Sequence, residues 1–474
     1  MPSEASKASD ASEALAALAS RLPDGFRFGT STASYQIEGA AEEDGKGRSV
    51  WDTFTALPGT VKDGDTGAVA CDHYHRFEED VALLRGLGGD AYRFSISWPR
   101  ILPEGTGRIE PRGLDFYDRL VDALLAAGVT PLPTLFHWDL PQALEDRGGW
   151  LARETADAFA GYADTVAARL GDRVHEWITL NEPFIHMVFG YALGTHAPGR
   201  TLMLDALPVA HHQLLGHARA AAALRARGAR AVLASNNLTP VRLHEDGRTD
   251  ADRAAAAAYD TLHNRVFTDP LLLGGYPDLD AFGVPGDLGG AVRPGDTEEI
   301  ARDGRLDGLG VNYYNPTWIR AAADPAATGG LPFDLAEPPA EYARTAFDWP
   351  VVPDGLSELL TGLKERYGDA LPPVTVTENG CSQPDRVVGG SVDDEARVRY
   401  LAGHLGAVAD ARDAGVDVAG YLVWSLLDNF EWAEGYSQRF GLVHVDFATR
   451  TRTPKRSYAW YRDLIAAHRA GRKA

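Results

Sequence analysis

Two glutamates attract attention because each ends a predicted strand and is followed by residues that break regular structure. Glu182 lies in TLNEP at residues 179–183, and Glu378 lies in VTENG at residues 376–380. If the fourth and seventh strands of a barrel carry them, their carboxyls face each other across the barrel mouth. Two opposed carboxyls suit glycosidic cleavage, in which one protonates the leaving oxygen and the other attacks or stabilises the anomeric carbon. For a lone glutamate, a solvated loop acid is the alternative reading.

The segments that must position these glutamates alternate between short apolar runs and longer amphipathic runs. The predicted strands are residues 28–37, 91–98, 129–138, 175–181, 231–237, 306–314, 374–378 and 420–425. The clearest predicted helices are residues 115–127, 155–170, 207–226 and 394–414. Strands that alternate with helices in this way predict an α/β fold with a parallel sheet.

Two parallel architectures compete, an open doubly wound sheet and a closed barrel. A doubly wound sheet that binds a dinucleotide needs a Gly-x-Gly-x-x-Gly turn after its first strand, and SYQIEG at residues 34–39 lacks it. Polar and aromatic residues end nearly every predicted strand, as at the C-terminal face of a barrel. We therefore predict a single (β/α)8 TIM barrel. Its long active-site loops, at residues 317–348 and 382–391, are expected on the rim.

Composition limits the partners and the compartment of the 474-residue chain. Its formal net charge of -21 opposes binding to nucleic acid, to an anionic membrane surface and to polyanionic substrates, and favours a neutral substrate. No apolar run approaches the roughly 20 residues of a membrane span. The two cysteines, Cys71 and Cys381, are far apart, which indicates reduced thiols and a cytoplasmic protein. Cys381 follows one glutamate motif closely and is expected to be sensitive to thiol reagents.

The domain prediction has two parts. Residues 1–20 are rich in Ala, Ser, Asp and Glu and lack the basic and apolar regions of a signal peptide, so they are predicted to form a mobile N-terminal tail. Residues 21–474 show no break in composition and are predicted to form one (β/α)8 catalytic domain.

Seven motifs in order resemble those of glycoside hydrolase family 1 β-glucosidases, over about residues 26–466. Besides the two glutamate motifs they are SYQIEG (34–39), YRFSISW (92–98), LFHWDLP (135–141), VNYY (311–314) and WSLLDNFEW (424–432). The resemblance implies a retaining β-glucosidase that hydrolyses terminal non-reducing β-D-glucosyl residues by double displacement, through a covalent glycosyl-enzyme intermediate. It implies no cofactor and no metal. A cello-oligosaccharide is the expected kind of substrate, and cellulose degradation the expected context.

The resemblance also assigns the catalytic residues. Glu182 is implied to be the general acid and then the base, and Glu378 the nucleophile. Arg93 is implied to lie beside Glu378, where a positive charge favours the carboxylate, and Tyr314 to orient the nucleophile by a hydrogen bond. Beside a charged Glu378, Glu182 is expected to have a raised pKa. An ordinary buried ion pair is the alternative for Arg93.

The remaining motif residues are implied to form a sugar site. Trp424 would give an aromatic platform for the pyranose, Asn181 would reach its 2-hydroxyl, and Trp349 would lie on the aglycone side. The polar contacts to the sugar are expected from Gln36, His137, Trp138, Glu431 and Trp432, and Asn312 is a further residue expected to bind the substrate. A tryptophan taken alone is more often a core residue, and only the shared motifs favour the pocket.

Two other functions remain as alternatives. A 6-phospho-β-glycosidase would need a cation for the phosphate; the chain keeps Glu431 and Trp432 and offers Arg439 nearby. A sugar-binding relative without catalysis would need a substituted Glu182 or Glu378. The sequence does not decide between glucose, galactose and fucose, nor does it fix aglycone and chain-length preference, transglycosylation, thermal stability or assembly into a homo-oligomer.

Two groups of histidines could suggest metal ligands but are expected to be structural. One group, around residues 71–75, precedes a helix well before the second strand. The other consists of His211, His212 and His217, whose spacing on a predicted helix does not bring them to one face.

Overall fold

A computed structural model of the protein describes residues 4–244, 248–326 and 328–471, with side chains from residue 12 onward. Residues 1–3, 245–247, 327 and 472–474, which belong to the predicted tail, catalytic domain and rim loop, lie outside the described residues. The strands are β1 Arg27–Ser31, β2 Ala91–Ser95, β3 Thr130–Phe136, β4 Glu176–Asn181, β5 Ala231–Asn237, β6 Val241–Leu243, β7 Gly308–Asn312, β8 Thr317–Ala321, β9 Phe333–Ala336, β10 Val374–Asn379, β11 Val418–Trp424, β12 Val443–Val445 and β13 Arg452–Pro454. The helices are α1 Glu4–Ser20, α2 Ser34–Ile37, α3 Val50–Phe54, α4 His73–Leu87, α5 Trp98–Ile101, α6 Pro111–Ala126, α7 Gln142–Glu145, α8 Glu154–Leu170, α9 Pro183–Ile185, α10 Leu207–Ala226, α11 Asp250–Asp260, α12 Val266–Leu272, α13 Asp296–Asp303, α14 Pro353–Tyr367, α15 Glu395–Asp413 and α16 Arg456–Gly471.

Eight of these strands close into a parallel barrel. Their order around it is β1, β11, β10, β7, β5, β4, β3 and β2, and β2 pairs again with β1. The helices that follow the strands in the sequence complete the (β/α)8 architecture. The predicted fold class is confirmed, and each predicted strand overlaps one barrel strand. The first predicted strand, residues 28–37, is too long, because β1 ends at Ser31 and the chain then enters α2.

The barrel interior changes from apolar at the bottom to polar near the top. The apolar layer is a cluster of Ala91, Leu132, Ile178, Leu233 and Leu422, one residue from each of five strands. Above it, hydroxyl groups bridge the strands: Ser235 Oγ lies 2.6 Å from Thr377 Oγ1, and Thr377 Oγ1 donates to Asn312 Oδ1 at 2.7 Å. This arrangement gives a rigid floor beneath the residues at the C-terminal ends of the strands.

Local sequence explains where several helices begin. Ser49 and Thr249 are N-caps of α3 and α11, and each forms a capping box with an aspartate three residues later. Pro111 opens α6 at the position where a missing N–H costs nothing. The high helix propensity of alanine favours the Ala-rich α10, in which 14 of 20 residues are buried.

The N-terminal segment differs from the sequence prediction. A mobile tail is predicted for residues 1–20, whereas the structure has helix α1 there. The last turn of α1 is attached to α16, where His468 Nδ1 hydrogen-bonds the carbonyl of Ala19 at 3.0 Å. Ala19 and Leu22 are buried in the hydrophobic core. Alanine favours a helix in this segment, and its apolar side chains find a partner helix that the sequence does not reveal.

The first long rim loop also contains regular structure. Strands β8 and β9 form an antiparallel pair, and β6 joins β8 as a third, parallel strand. This small sheet lies outside the barrel, and the chain returns from it past Trp349 to α14.

Candidate active site

A cavity of about 630 Å³ opens at the C-terminal ends of the barrel strands. Its lining includes both candidate catalytic residues, Glu182 and Glu378, which belong to the ends of β4 and β10. Other predicted sugar-site residues in the lining are His137, Trp138, Asn181, Tyr314, Trp349, Trp424, Glu431 and Trp432. The predicted strand ends therefore do meet around one cavity.

The backbone is irregular at both glutamates. The pairing register of β4 with β5 shifts between Ile178 and Asn181, and that of β10 with β7 shifts between Val376 and Glu378. Such shifts redirect side chains at the ends of strands. Glu182 itself has φ 45° and ψ 60°, a left-handed conformation that a residue with a side chain adopts at a cost in free energy.

Glycine at position 380 brings the end of β10 close to β11. A Cβ atom there would lie 1.7 Å from the carbonyl oxygen of Trp424. Any larger residue at Gly380 would separate these two strand ends, which carry Glu378 and Trp424 of the cavity lining.

Glu378 is held by a guanidinium and a phenol. Arg93 Nη1 donates to Glu378 Oε1, and Tyr314 Oη donates to Glu378 Oε2 at 2.8 Å. The carboxyl is almost fully buried, which raises its pKa, while Arg93 and Tyr314 oppose that rise by stabilising the carboxylate. Burial and the nearby carboxyls raise the pKa of Tyr314 well above its usual value, so it remains a proton donor.

Glu182 has different partners. Its Oε1 accepts hydrogen bonds from Asn312 Nδ2 at 2.8 Å and Asn237 Nδ2 at 3.1 Å. Burial, followed by the charge of Glu378, raises the pKa of Glu182 to about 8. Because Arg93 contacts Glu378 directly, Glu378 ionises first, and Glu182 keeps a proton at neutral pH.

Arg93, Asn181 and His137 form a second line of contacts under the sugar site. Arg93 Nη2 donates to Asn181 Oδ1 at 2.5 Å, and Asn181 Nδ2 lies 2.9 Å from His137 Nε2. Since the amide N–H must donate, Nε2 of His137 accepts and its proton is on Nδ1. Burial and the charge of Arg93 lower the pKa of His137 well below its usual value, so the ring is neutral. Nδ1 has no partner among the described residues and remains available as a donor.

Glu431 lines the cavity, and the fully buried Gln36, which is not part of the lining, approaches it. Gln36 Nε2 donates to Asn429 Oδ1 at 3.0 Å and to the Phe430 carbonyl at 2.9 Å, with a longer contact of 3.4 Å to Glu431 Oε2. Its Oε1 is buried without a partner in the described part of the chain. Burial and the two catalytic carboxyls raise the pKa of Glu431 to about 8.

The tryptophans fall into two groups. Trp424 belongs to an aromatic cluster with Phe440, Tyr314, Phe347 and Trp349, on the side of β11 and the rim loop. Trp432 packs against Trp138, with ring centroids 4.7 Å apart, and against Trp51 at 4.6 Å. Both groups reach the cavity, whose lining includes Trp138, Trp349, Trp424 and Trp432.

Trp138 has a different contact from the predicted one. Its indole N–H donates to the carbonyl of Asn181 at 2.9 Å, so this group is occupied within the protein. Trp138 can offer the cavity its ring surface but not the polar contact expected from the sequence.

Two residues of the site were missed at the sequence level. Asn237 ends β5 and contacts Glu182, and His263 lies 3.1 Å from Asn237 Oδ1 through its Nε2. Asn237 carries a usable signal, since it is a polar residue at the end of a correctly predicted strand. His263 carries none, because it comes from a segment after α11 that only the fold brings to the cavity.

The histidines with suggestive spacing have protein partners. His73 Nδ1 pairs with Asp80 at 2.8 Å, and His211 Nε2 pairs with Asp296 at 2.8 Å. His217 joins Thr179 Oγ1 at 2.6 Å and the Gly304 carbonyl at 2.8 Å. In the described residues, no group of three His, Cys, Asp or Glu side chains is placed to hold a metal ion.

The structure contradicts the thiol-reagent sensitivity expected for Cys381. The residue is fully buried, and burial raises the pKa of its thiol to about 11. Since the thiolate is the reactive form, the expected sensitivity to thiol reagents is wrong. Cys71 is buried as well, and burial raises its pKa.

Arg439, the cation on which the phosphoglycosidase alternative depends, is engaged elsewhere. Its Nη1 donates to Asp428 Oδ2 at 2.8 Å and to the Val445 carbonyl at 3.0 Å, and its guanidinium lies over the ring of Phe447. Asp428 also accepts from the buried ammonium of Lys455 at 2.6 Å. Arg439 is therefore a structural partner of Asp428.

Comparisons with known proteins agree with the geometry. The family model described as glycosyl hydrolase family 1 matches residues 18–470. Thermostable β-glucosidase B of Thermobispora bispora is 48% identical over 94% of this chain and 90% of its own length. The crystal structure of the psychrophilic β-glucosidase BglU from Micrococcus antarcticus has a TM-score of 0.89 and 45% identity, covering 94% of this chain and 98% of that chain. The β-glucosidase of Thermotoga maritima in complex with glucoimidazole has a TM-score of 0.87 and 42% identity, covering 94% and 99%.

No helix in the described residues is long and apolar enough to cross a membrane. The barrel, the paired carboxyls at its mouth and the match over nearly the whole length lead to one conclusion. The chain is a glycoside hydrolase and belongs to glycosyl hydrolase family 1.

Proposed function

We propose that Glu378 is the nucleophile and Glu182 the acid/base of a retaining β-glucosidase, which removes terminal non-reducing β-D-glucosyl residues. The observation that carries this division is the difference between the two carboxyls. Of the described residues, a guanidinium and a phenol contact Glu378, whereas amide groups contact Glu182. The first environment favours a carboxylate and the second leaves a protonated acid.

The reaction follows from this arrangement in two steps. Glu182 gives its proton to the glycosidic oxygen while Glu378 attacks the anomeric carbon, which breaks the glycosidic bond and forms a covalent glycosyl-enzyme. The ionised Glu182 then takes a proton from water, whose oxygen attacks the anomeric carbon and releases Glu378. Two inversions give β-glucose from a β-glucoside.

The glucosyl group would be bound by residues that offer unused polar atoms. His137 Nδ1 and Gln36 Oε1 have no partners in the described residues and can pair with hydroxyls, and Glu431 Oε2 lies 3.4 Å from Gln36 Nε2. Trp424 would carry the apolar face of the ring, since carbohydrate C–H groups pack well on an indole. Asn181 and Asn312 would approach the 2-hydroxyl from the side of the catalytic carboxyls.

Trp349, on the rim, would pack against a second sugar or against another aglycone with an apolar face. We propose short cello-oligosaccharides as substrates, used in the breakdown of cellulose fragments in the cytoplasm, with residues 21–474 acting as one catalytic domain. Specificity constants on matched β-glucosides, β-galactosides and β-fucosides, followed by a cello-oligosaccharide series, test this choice. A preference for β-galactosides or β-fucosides over β-glucosides contradicts it.

One pair of variants tests the catalytic roles. In Glu378→Gly, hydrolysis should fall by several powers of ten, and azide should restore turnover of an activated β-glucoside and give the α-glucosyl azide. In Glu182→Ala, azide should instead attack the glycosyl-enzyme and give the β-glucosyl azide. NMR of the products distinguishes the two anomers. The same anomer from both variants, or undiminished hydrolysis in Glu378→Gly, contradicts the assignment.

A further inference from the structure

A chain of hydrogen bonds leads from Glu182 along the wall of the cavity, whose lining includes Asn237, His263 and Tyr259. Glu182 Oε1 accepts from Asn237 Nδ2 at 3.1 Å, Asn237 Oδ1 lies 3.1 Å from His263 Nε2, and His263 Nδ1 lies 3.0 Å from Tyr259 Oη. The chain connects three separate parts of the fold, since Glu182 follows β4, Asn237 ends β5, and Tyr259 lies in α11. His263 follows on the next turn.

The backbone around His263 is unusual for a helix. Residues Thr261–Arg265 form a π-helical turn between α11 and α12. A π turn widens the helix and changes the direction of its side chains, and such turns are frequent at functional sites. The His263 ring is 5% exposed and lies on the ring of Phe184, with centroids 3.9 Å apart.

The chemistry of the four groups gives the chain one direction. Burial lowers the pKa of His263 to about 3 and raises that of Tyr259 to about 12, so the imidazole is neutral and the phenol keeps its proton. Because Asn237 Nδ2 donates to Glu182, the side-chain Oδ1 of Asn237 accepts from His263 Nε2–H, which leaves Nδ1 to accept from the phenol of Tyr259. The imidazole and the phenol thereby hold the amide N–H of Asn237 toward Glu182. An inverted amide would put two oxygens in contact whenever Glu182 is ionised.

The two carboxyl oxygens of Glu182 therefore differ in their hydrogen bonds. Oε1 accepts N–H groups from both Asn237 and Asn312, which fills its acceptor capacity, while Oε2 has no hydrogen-bond partner in the described part of the protein. We propose that Tyr259 and His263 are positioning residues that act through Asn237 to keep the transferable proton of Glu182 on Oε2. This inference rests on the proposed role of Glu182 as the acid/base.

Substitutions at Tyr259 or His263 leave the other ionisable residues around Glu182 in place. Glu378 from β10 and Arg93 from β2 act on it through their charges, and Tyr314 and Glu431 interact with it from the segments after β7 and β11. Around His263, the described polar contacts come from Asn237 and Tyr259, and Phe184 covers the ring. A change at His263 therefore reaches Glu182 through Asn237.

The central variant is His263→Phe, which keeps a ring beside Phe184 but cannot donate to Asn237. Without a fixed amide, Glu182 loses a donor to its carboxylate, and the alkaline limb of the kcat/KM profile should move up by about 0.5–1 pH unit. The proton should also be shared between both oxygens. We therefore expect kcat/KM to fall about 10-fold or more for a poor leaving group such as methanol, and by less than about 3-fold for dinitrophenol.

Two further variants separate positioning from simple structural support. His263→Gln retains an N–H at the place of Nε2 and should restore both the alkaline limb and the activity on the poor leaving group. Tyr259→Phe removes the phenol that fixes the tautomer of His263. Its shift of the alkaline limb and its loss of activity on the poor leaving group should lie between those of the wild type and His263→Phe. The matched control is Tyr276→Phe, which removes a similar phenol contact of 2.9 Å to His211 outside the cavity and should move neither readout.

The outcomes are distinct from a failure of the proposed function. If Glu182→Ala gives the β-glucosyl azide but His263→Phe and Tyr259→Phe leave the limb and the leaving-group dependence unchanged, the positioning role is overturned and the catalytic assignment stands. An equal loss on both leaving groups, with no shift of the limb and no recovery in His263→Gln, also overturns it. If Glu182→Ala itself fails its product test, the catalytic assignment is wrong.

Discussion

Tyr314→Phe isolates the hydrogen bond that keeps the nucleophile ionised. The phenol donates to Glu378 Oε2 at 2.8 Å, and the substitution removes that donor while keeping the ring between Trp349 and Phe440. A hydrogen bond to a charged group contributes about 1.5–3 kcal/mol, and each 1.36 kcal/mol corresponds to roughly one pKa unit. Losing it should therefore raise the pKa of Glu378 by about 1–2 units. Water that enters the space of the lost hydroxyl would bring the effect toward the lower value.

The assay is the pH dependence of kcat/KM on a nitrophenyl β-glucoside. Its acid limb reports protonation of the nucleophile, so this limb should move to higher pH by about 1–2 units in Tyr314→Phe. The control is Tyr313→Phe at the adjacent position, where the buried phenol donates to the Val352 carbonyl at 2.7 Å and does not contact the carboxyls. That variant loses a buried hydrogen bond of the same kind and should keep the limb of the wild type.

Two results would refute this reasoning. An acid limb that stays in place in Tyr314→Phe would mean that Arg93 alone sets the ionisation of Glu378. A limb that moves equally in both variants would mean that the shift comes from loosened packing. Because the two carboxyls titrate as a coupled pair, the comparison is made between complete profiles.

Further expectations concern the other two carboxyls. Glu431→Ala should lower kcat/KM on a β-glucoside by about 5- to 150-fold, because two hydrogen bonds to a protonated carboxyl contribute about 0.5–1.5 kcal/mol each. The wild type should hydrolyse a matched 6-phosphoglucoside more slowly than the glucoside, and faster turnover of the phosphorylated substrate contradicts this. Glu182→Gln should raise Tm relative to the wild type more at pH 8 than at pH 5. The pKa of about 8 lies above that of an exposed glutamate, so the wild type loses stability as pH rises through this range, and the amide does not. Parallel Tm curves for the two proteins would contradict it.

The fold was predictable because its signals are local. Each barrel strand is a short apolar run that ends in a polar or aromatic residue, and the predicted bounds of α10 agree with the structure. The error at residues 34–37 has a local cause too: Tyr35 and Ile37 continue the apolar pattern of β1, although Ser34 N already bonds Ser95 Oγ and starts α2. The small sheet of β6, β8 and β9 depends on pairings between distant segments, which no local pattern encodes.

Site residues at strand ends could be predicted from the sequence. Contacts that depend on how separate segments pack together could not. Glu182, Glu378 and Arg93 could be placed from motifs alone. The hydrogen bond of Trp138 to a backbone carbonyl, the burial of Cys381 and the approach of His263 to Asn237 depend on three-dimensional packing. A residue type in a motif predicts the kind of contact available, but not whether a neighbour already uses it.

The charges of the site explain why it suits a neutral sugar. Glu182, Glu378 and Glu431 are three carboxyls of the cavity lining whose charges act on one another, and in the described residues Arg93 forms a salt bridge with one of them, Glu378. One guanidinium balances one carboxylate, so Glu378 ionises while burial keeps the other two protonated up to a pKa of about 8. These three carboxyls and Arg93 together are then close to neutral at pH 7. A phosphate on the sugar would add negative charge beside these carboxyls, and Arg439, the cation that the sequence offers for it, is already paired with Asp428.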